Sequence, residues 1–264
     1  MQLWLIFALI APMLWSIVNI VDTILRRKYI KDDYILTFWY GMMSFLAIIF
    51  IPFVGFSVPP ITILLLCLFV GIINVYAVVP YFKAITEEET SRVVALWLMM
   101  PVMLPFLAFI FLGERLSLVQ YAGFFLVVIS GALISIRKHV HKLPKLSKAL
   151  RWMLLSGIMF NVSILILKYV YTNYNYWHSF MWVRVGVVLG AFTLLLWKKN
   201  RINLRSQWKI LKLSGIRLLA AGEVIDFGAM ILSTIAIAAG PVTIIVGLGN
   251  FQSLFLLIYV VILA

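Results

Sequence analysis

Two carboxylates and one guanidinium lie where a hydrocarbon environment would be hostile to them. Glu223 and Asp226 fall about ten and thirteen residues into a long apolar run, and Arg184 lies inside the run before it. A charge near a bilayer centre costs about 2.5–3.5 kcal/mol or more, so such groups usually mark a solute or ion pathway. Their i, i+3 spacing puts Glu223 and Asp226 on neighbouring parts of one helix face. At 1.5 Å per residue, Glu223 is near the midplane, Asp226 roughly 10–14 Å below the outer boundary and Arg184 about 9 Å below it. An Arg184–Asp226 ion pair is within reach, either neutralising itself to hold the bundle or forming part of a pathway. A carboxylate at this depth could bind a solute's ammonium group or carry a coupling proton.

The remaining polar and aromatic candidates each have a plainer reading beside the functional one. Asn250, like Asn19, Asn161 and Gln252, could line a path or make an interhelical hydrogen bond. Trp15, Trp97 and Tyr76 could stack on an aromatic or cationic solute, or pack in the core. Gly247-Leu248-Gly249 could loosen a helix beside Asn250 or permit close packing. Lys168 is near a span end and can snorkel, and Asp22 sits one turn from Arg26. His139 and His141 have no third ligand nearby, and Glu87-Glu88-Glu89 reads as a solvated turn. There is no His-Glu-x-x-His or phosphate-cradling Gly-Lys-Ser/Thr motif, so no metal, cofactor or built-in ATP hydrolysis is expected. No catalytic set for an intramembrane enzyme is found.

The elements that carry these residues follow from composition. Of 264 residues, 64% are hydrophobic and 12% charged, which no soluble core could accommodate. Runs of spanning length predict nine helices at 3–25, 34–54, 61–82, 93–112, 117–136, 152–171, 178–197, 214–238 and 241–264. The expected fold is an all-α polytopic membrane protein. The net charge of +13 is read as membrane orientation rather than nucleic-acid binding. The odd-numbered connections hold eighteen basic residues and the even-numbered ones only Arg115. The positive-inside rule then places the odd connections in the cytoplasm of a cell-membrane protein, with the N-terminus outside. Tyr169, Tyr171, Tyr174, Tyr176 and Trp177 form an aromatic belt at the opposite boundary. The single cysteine, Cys67, permits no intramolecular disulfide, and no basic segment precedes the first apolar run as in a signal peptide.

An internal offset of 152 brings Ala84-Ile85 onto Ala236-Ile237 and the fourth span onto the ninth. It also brings Asn74 onto Asp226, which suggests two symmetry-related polar residues lining one cavity. Five helices per unit, an odd number, make the second unit enter from the opposite side. The expected organisation is a first repeat at 1–136, a basic loop at 137–151 and a second repeat at 152–264. A tenth helix would be missing, and a chain truncated before it is the favoured expectation.

Pro101-Val102-Met103-Leu104-Pro105, Phe111-Leu112-Gly113-Glu114-Arg115-Leu116-Ser117, Gln120-Tyr121-Ala122-Gly123 and Ile129-Ser130-Gly131 resemble the EamA repeat of the drug/metabolite transporter superfamily. Trp15-Ser16 resembles the family's Trp-Gly, and Lys168 stands where many members carry a lysine. The resemblance implies a ten-helix carrier of two five-helix repeats around a central cavity. Members export amino acids, other metabolites or drugs. The family is usually described with cytoplasmic termini, whereas the loop charges here argue for an external N-terminus.

The expected function is a secondary transporter that exports a small solute by alternating access, driven by a proton or by exchange. The substrate-binding or coupling residues would be Asp226, Glu223, Arg184, Asn74, Trp15 and Asn250. The alternative is a lipid-linked flippase component or accessory membrane subunit, which a wide, laterally open aromatic groove would favour. Expected partners are the solute and membrane lipid, with a homodimer left open.

Overall fold

A bilayer offers the backbone no hydrogen bonds, so apolar runs of this length fold as helices. The computed structural model describes residues 3–30, 32–87, 100–135, 148–210 and 213–263. Trp97, Glu88, Glu89, His139, His141, residues 93–99 of the expected fourth span and most of the inter-repeat loop lie outside these residues. Among the described residues all regular structure is helical, and seven helices are long and apolar enough to cross a membrane.

The first span is α1 (Leu3–Lys28). The second is composite: α2 (Asp33–Met43), a tighter 3-10 stretch at Ser44–Phe50, and α3 (Ile51–Val54). Then come α4 (Ile61–Glu87), a 3-10 turn at Met100–Met103 leading into α5 (Leu104–Leu112), and α6 (Leu118–Ser135). The second half has α7 (Lys148–Asn173), α8 (Tyr176–Leu194), α9 (Lys198–Ile210) and α10 (Leu213–Ala239). The last span is broken into α11 (Val242–Gly249) and α12 (Gln252–Leu263).

Three features differ from the sequence expectation. The loop expected through 151 ends sooner, because α7 already begins at Lys148. The seventh connection is a helix, α9, rather than an open basic loop. Asp22 does not pair with Arg26; Arg26 instead bridges to Asp33, 2.5 Å away across the first connection.

Helix pairs cross between the two halves of the sequence. α1 runs antiparallel to α10, with Tyr29 against Ser214, Val21 against Gly222, Trp15 against Asp226 and Trp4 against Gly240. α7 runs antiparallel to α4, tied by Ser156 Oγ donating to the Ala77 carbonyl at 2.7 Å and by Ser163 Oγ donating to Asn74 Oδ1 at 2.7 Å. α4 also packs parallel to α8, where Gly71 and Gly186 let the two backbones touch. A Cβ at Gly186 would lie 2.6 Å from the Leu68 carbonyl oxygen, a main-chain atom that cannot step aside.

The bundle's end away from the basic connections is fastened by charge. Gly113 adopts φ +64° and closes α5 with a left-handed cap. The next residue, Glu114, then reaches the start of α11, whose N-cap residue Pro241 has no side chain to offer. The Glu114 carboxylate accepts from the Val242 N–H at 2.8 Å and the Thr243 N–H at 3.1 Å. Those amides would otherwise be orphaned at the positive end of the helix dipole. On the other side of the Gly240–Pro241 turn, Lys168 Nζ donates to the carbonyls of Ala238 (3.3 Å) and Gly240 (2.9 Å). Lys168 is therefore a C-terminal cap for α10 rather than a freely snorkelling lysine.

Two stability predictions follow from this packing. Gly186→Ala should cost about 1–3 kcal/mol through overpacking, whereas Gly228→Ala, where a Cβ meets open space, should be neutral. Thermal unfolding of both variants in detergent checks this, and equal Tm values would refute the close approach. Glu114→Ala should lower stability by about 1–2 kcal/mol, and Glu114→Gln by less, because one acceptor survives.

Candidate functional site

The spans converge on one buried polar cluster at mid-depth. Arg184 lies eight residues along α8 from Tyr176, about 12 Å from that end, and Asp226 is at the centre of α10. Arg184, Glu223 and Asp226 line one small cavity with Tyr40, Met43, Ser44, Phe227 and Met230. Its free volume is about 10 Å³, room for a single water. The three charged side chains are nearly inaccessible, at 6%, 8% and 9% exposure. Such burial is expensive unless partners are supplied.

The partners are not the expected ones. Asp226 Oδ1 accepts from Trp15 Nε1 at 2.8 Å, so Trp15 serves this carboxylate through its N–H rather than standing as a free stacking plate. Arg184 does not form an ion pair with Asp226. One terminal nitrogen of its guanidinium is against Met230 Sδ, and the group lies 5.3 Å from the Phe180 ring centre. Its Nε is buried without a hydrogen-bond partner. Equal depth on two helices does not fix azimuth, and Asp226 faces α1. The result is a cation and two carboxylates that share one cavity without Arg184 and Asp226 neutralising each other by contact.

Above the cavity, toward Tyr176, aromatic rings fill the space. Phe50 stacks on Trp177 at 5.5 Å between ring centres and meets Phe227 at 6.1 Å. Phe180 touches Phe227, Tyr176 and Trp177. These rings belong to the second span, α8 and α10, and they close that side of the charged cavity.

The other sequence candidates lie elsewhere. Asn74 is not among the residues lining the cavity; it accepts the hydrogen bond from Ser163 between α4 and α7. α4 is drawn against α7 and α8, so the position equivalent to Asp226 is taken up by packing. Asn250 is buried at the break between α11 and α12, its Nδ2 without a partner, and is likewise not among the cavity's lining residues. Beside that break, Ser16 Oγ donates to the Gln252 carbonyl at 2.8 Å. Tyr76 shares a hydrogen bond with Thr193 in the α4–α8 seam. Gly247 packs against the Phe124 ring. Tyr40 and Ser44 were missed, because single hydroxyls in an apolar run give no signal until a neighbouring helix supplies charges.

The EamA-like transporter family model matches residues 2–136, just over half of the chain. The match takes in α1 through α6 and therefore Trp15, Tyr40, Ser44 and the Glu114 cap. No curated protein matches the sequence. The chain is a multi-pass membrane protein and belongs to the EamA-like transporter family of the drug/metabolite transporter superfamily.

Proposed function

We propose that this protein is a secondary transporter that exports a small solute, an amino acid or a drug-like compound, by alternating access. The observation that carries the reading is the mid-depth cavity, where Arg184 lies beside Glu223 and Asp226 with its Nε unpartnered. Charges serving only to stabilise the bundle would be expected to pair off. Kept apart, they leave donors and acceptors that a polar solute can satisfy. Asp226 and Glu223 are the solute-binding or coupling acids, Arg184 the complementary donor, and Trp15 the residue that orients Asp226. Coupling is to a proton or to a counter-solute.

A cavity of about 10 Å³ is far below the roughly 300–1,000 Å³ of a ligand site, so admission of a solute requires helices to part. The offset of 152 maps α1 onto α7 and α4 onto α10. The α1–α10 and α7–α4 crossings are then counterparts, each bonded at the position shared by Asp226 and Asn74. This supports reading 1–136 and 152–264 as inverted five-helix repeats. The same mapping makes the α4–α8 seam the counterpart of the seam between the second span and α10. The first is locked at Gly71 and Gly186, whereas the second lacks such close backbone approach and encloses the cavity. The second seam is the one that opens in this state, and exchanging the two gives the opposite-facing state. Loop charge puts α9 and the odd connections in the cytoplasm of a plasma-membrane protein.

The test compares solutes released by cells expressing wild type, Asp226→Asn, Trp15→Phe or Ser163→Ala at matched protein levels, read by mass spectrometry. Wild type should release a solute class that empty cells do not. Asp226→Asn should reduce that release by about tenfold or more, the loss of at least ~1.4 kcal/mol of binding or coupling. Trp15→Phe should reduce it less, and Ser163→Ala, whose bond lies outside the cavity, should retain it. Identical profiles from wild type and empty cells would overturn the export reading and favour a lipid-linked flippase or accessory role.

A further inference from the structure

The helix that interrupts the seventh connection has no part in the cavity, and its setting limits what it can touch. α9 begins four residues after α8 ends and stops three residues before α10 begins. Its thirteen residues span about 20 Å at 1.5 Å per residue. Both ends therefore stay close to the ends of α8 and α10, on the side of the basic connections.

One side of α9 is docked on the protein. Asn200 is buried, and its Nδ2 donates to the Leu194 carbonyl at 2.8 Å, capping α8. Asn203 Nδ2 donates to Asp32 Oδ2 at 2.6 Å, while Oδ1 of the same aspartate caps α2. Leu204 packs on the cluster of Ile30, Ile35, Leu36 and Phe82. These three docked positions face one way. At 100° per residue, Lys198, Arg201 and Arg205 fall within about 60° of arc on the opposite side. All three are exposed, as is Ile202 next to them. Leu196 and Trp197, in the turn leading into the helix, are also exposed.

We infer that α9 is an interfacial helix whose Lys198, Arg201 and Arg205 bind the phosphates of anionic phospholipid headgroups. Three cations on one stripe match an anionic surface, and the tethers hold that stripe where headgroups are. Ile202 and Trp197 beside it suit the boundary between headgroups and acyl chains. Asp32 joins α9 to the start of α2, the helix that carries the cavity residues Tyr40 and Met43. The inference is independent of which solute is moved.

The test uses the purified 264-residue chain, delipidated in detergent and titrated with phosphatidylglycerol or phosphatidylcholine, with bound lipid read by native mass spectrometry. Wild type should retain phosphatidylglycerol preferentially. The triple variant Lys198→Gln, Arg201→Gln, Arg205→Gln should bind it about tenfold or more weaker, since each cation near an anionic surface is worth roughly fivefold. Its phosphatidylcholine binding should not change. The charge-keeping variant Lys198→Arg, Arg201→Lys, Arg205→Lys should behave as wild type, and that comparison separates charge from folding. Equal retention of both lipids by wild type would overturn the inference. So would undiminished phosphatidylglycerol binding in the neutralised variant, or equal loss in the charge-keeping one.

Discussion

A carboxylate at the centre of a bilayer has to be met by a donor from the protein, and Trp15 meets Asp226. That one bond joins α1 to α10, fixes the register of the antiparallel pair and holds the acid at the edge of the cavity. The same rule governs the rest of the bundle, because hydrocarbon leaves every exposed polar group unpaired. Helix ends are completed by Glu114, Lys168, Asp32 and Asn200, each drawn from a different element than the end it serves or from just outside it. Against that background, Arg184, with a sulfur, an aromatic ring and an orphaned Nε for company, departs from the rule, as does Asn250 with its unpartnered Nδ2.

How much of this could be read from the sequence depends on which coordinate a residue pattern encodes. Apolar run length encodes where helices run, so the seven spans among the described residues, the place of Glu223 and Asp226 near the middle of α10 and the all-helical class were legible. Azimuth was not. Arg184 and Asp226 share a depth, but α10 turns Asp226 toward α1, and the expected ion pair gives way to an indole N–H. Asn74 matched Asp226 in register yet faces α7. α9 was hidden by its own charge: with few apolar positions among its cations, it reads as a loop until Asn200, Asn203 and Leu204 are seen docked. Glu114 stood out as part of a motif, but its role as a cap required knowing that α11 starts beside it.

The two seams show how similar helices can be joined with different strength. Between α4 and α8, glycine removes the side chains and the backbones approach directly, so dispersion is strong and separation is costly. Between the second span and α10, the meeting is through side chains: hydroxyls and charges at the level of Ser44 and Asp226, rings at the level of Phe50 and Phe227. A seam made of side chains can rearrange by rotamer changes that a backbone contact does not allow. The charged cluster therefore lies in the joint with more freedom to move.

The 3-10 stretch at Ser44–Phe50 decides how that joint is faced. With three residues per turn, side chains at i and i+3 eclipse, so Ser44, Ala47 and Phe50 stand in a single file instead of spiralling. The file runs straight from the charged level to the aromatic level, with Ser44 and Ala47 buried and Phe50 stacked on Trp177. Rewinding the seven residues to 3.6 per turn would swing Phe50 by about 120° relative to Ser44 and shorten the span by about 3.5 Å. A change of helical pitch alone would thus lift the ring from its stack while both ends of the span stayed anchored in sequence, converting a local winding into a rotation at the aromatic layer.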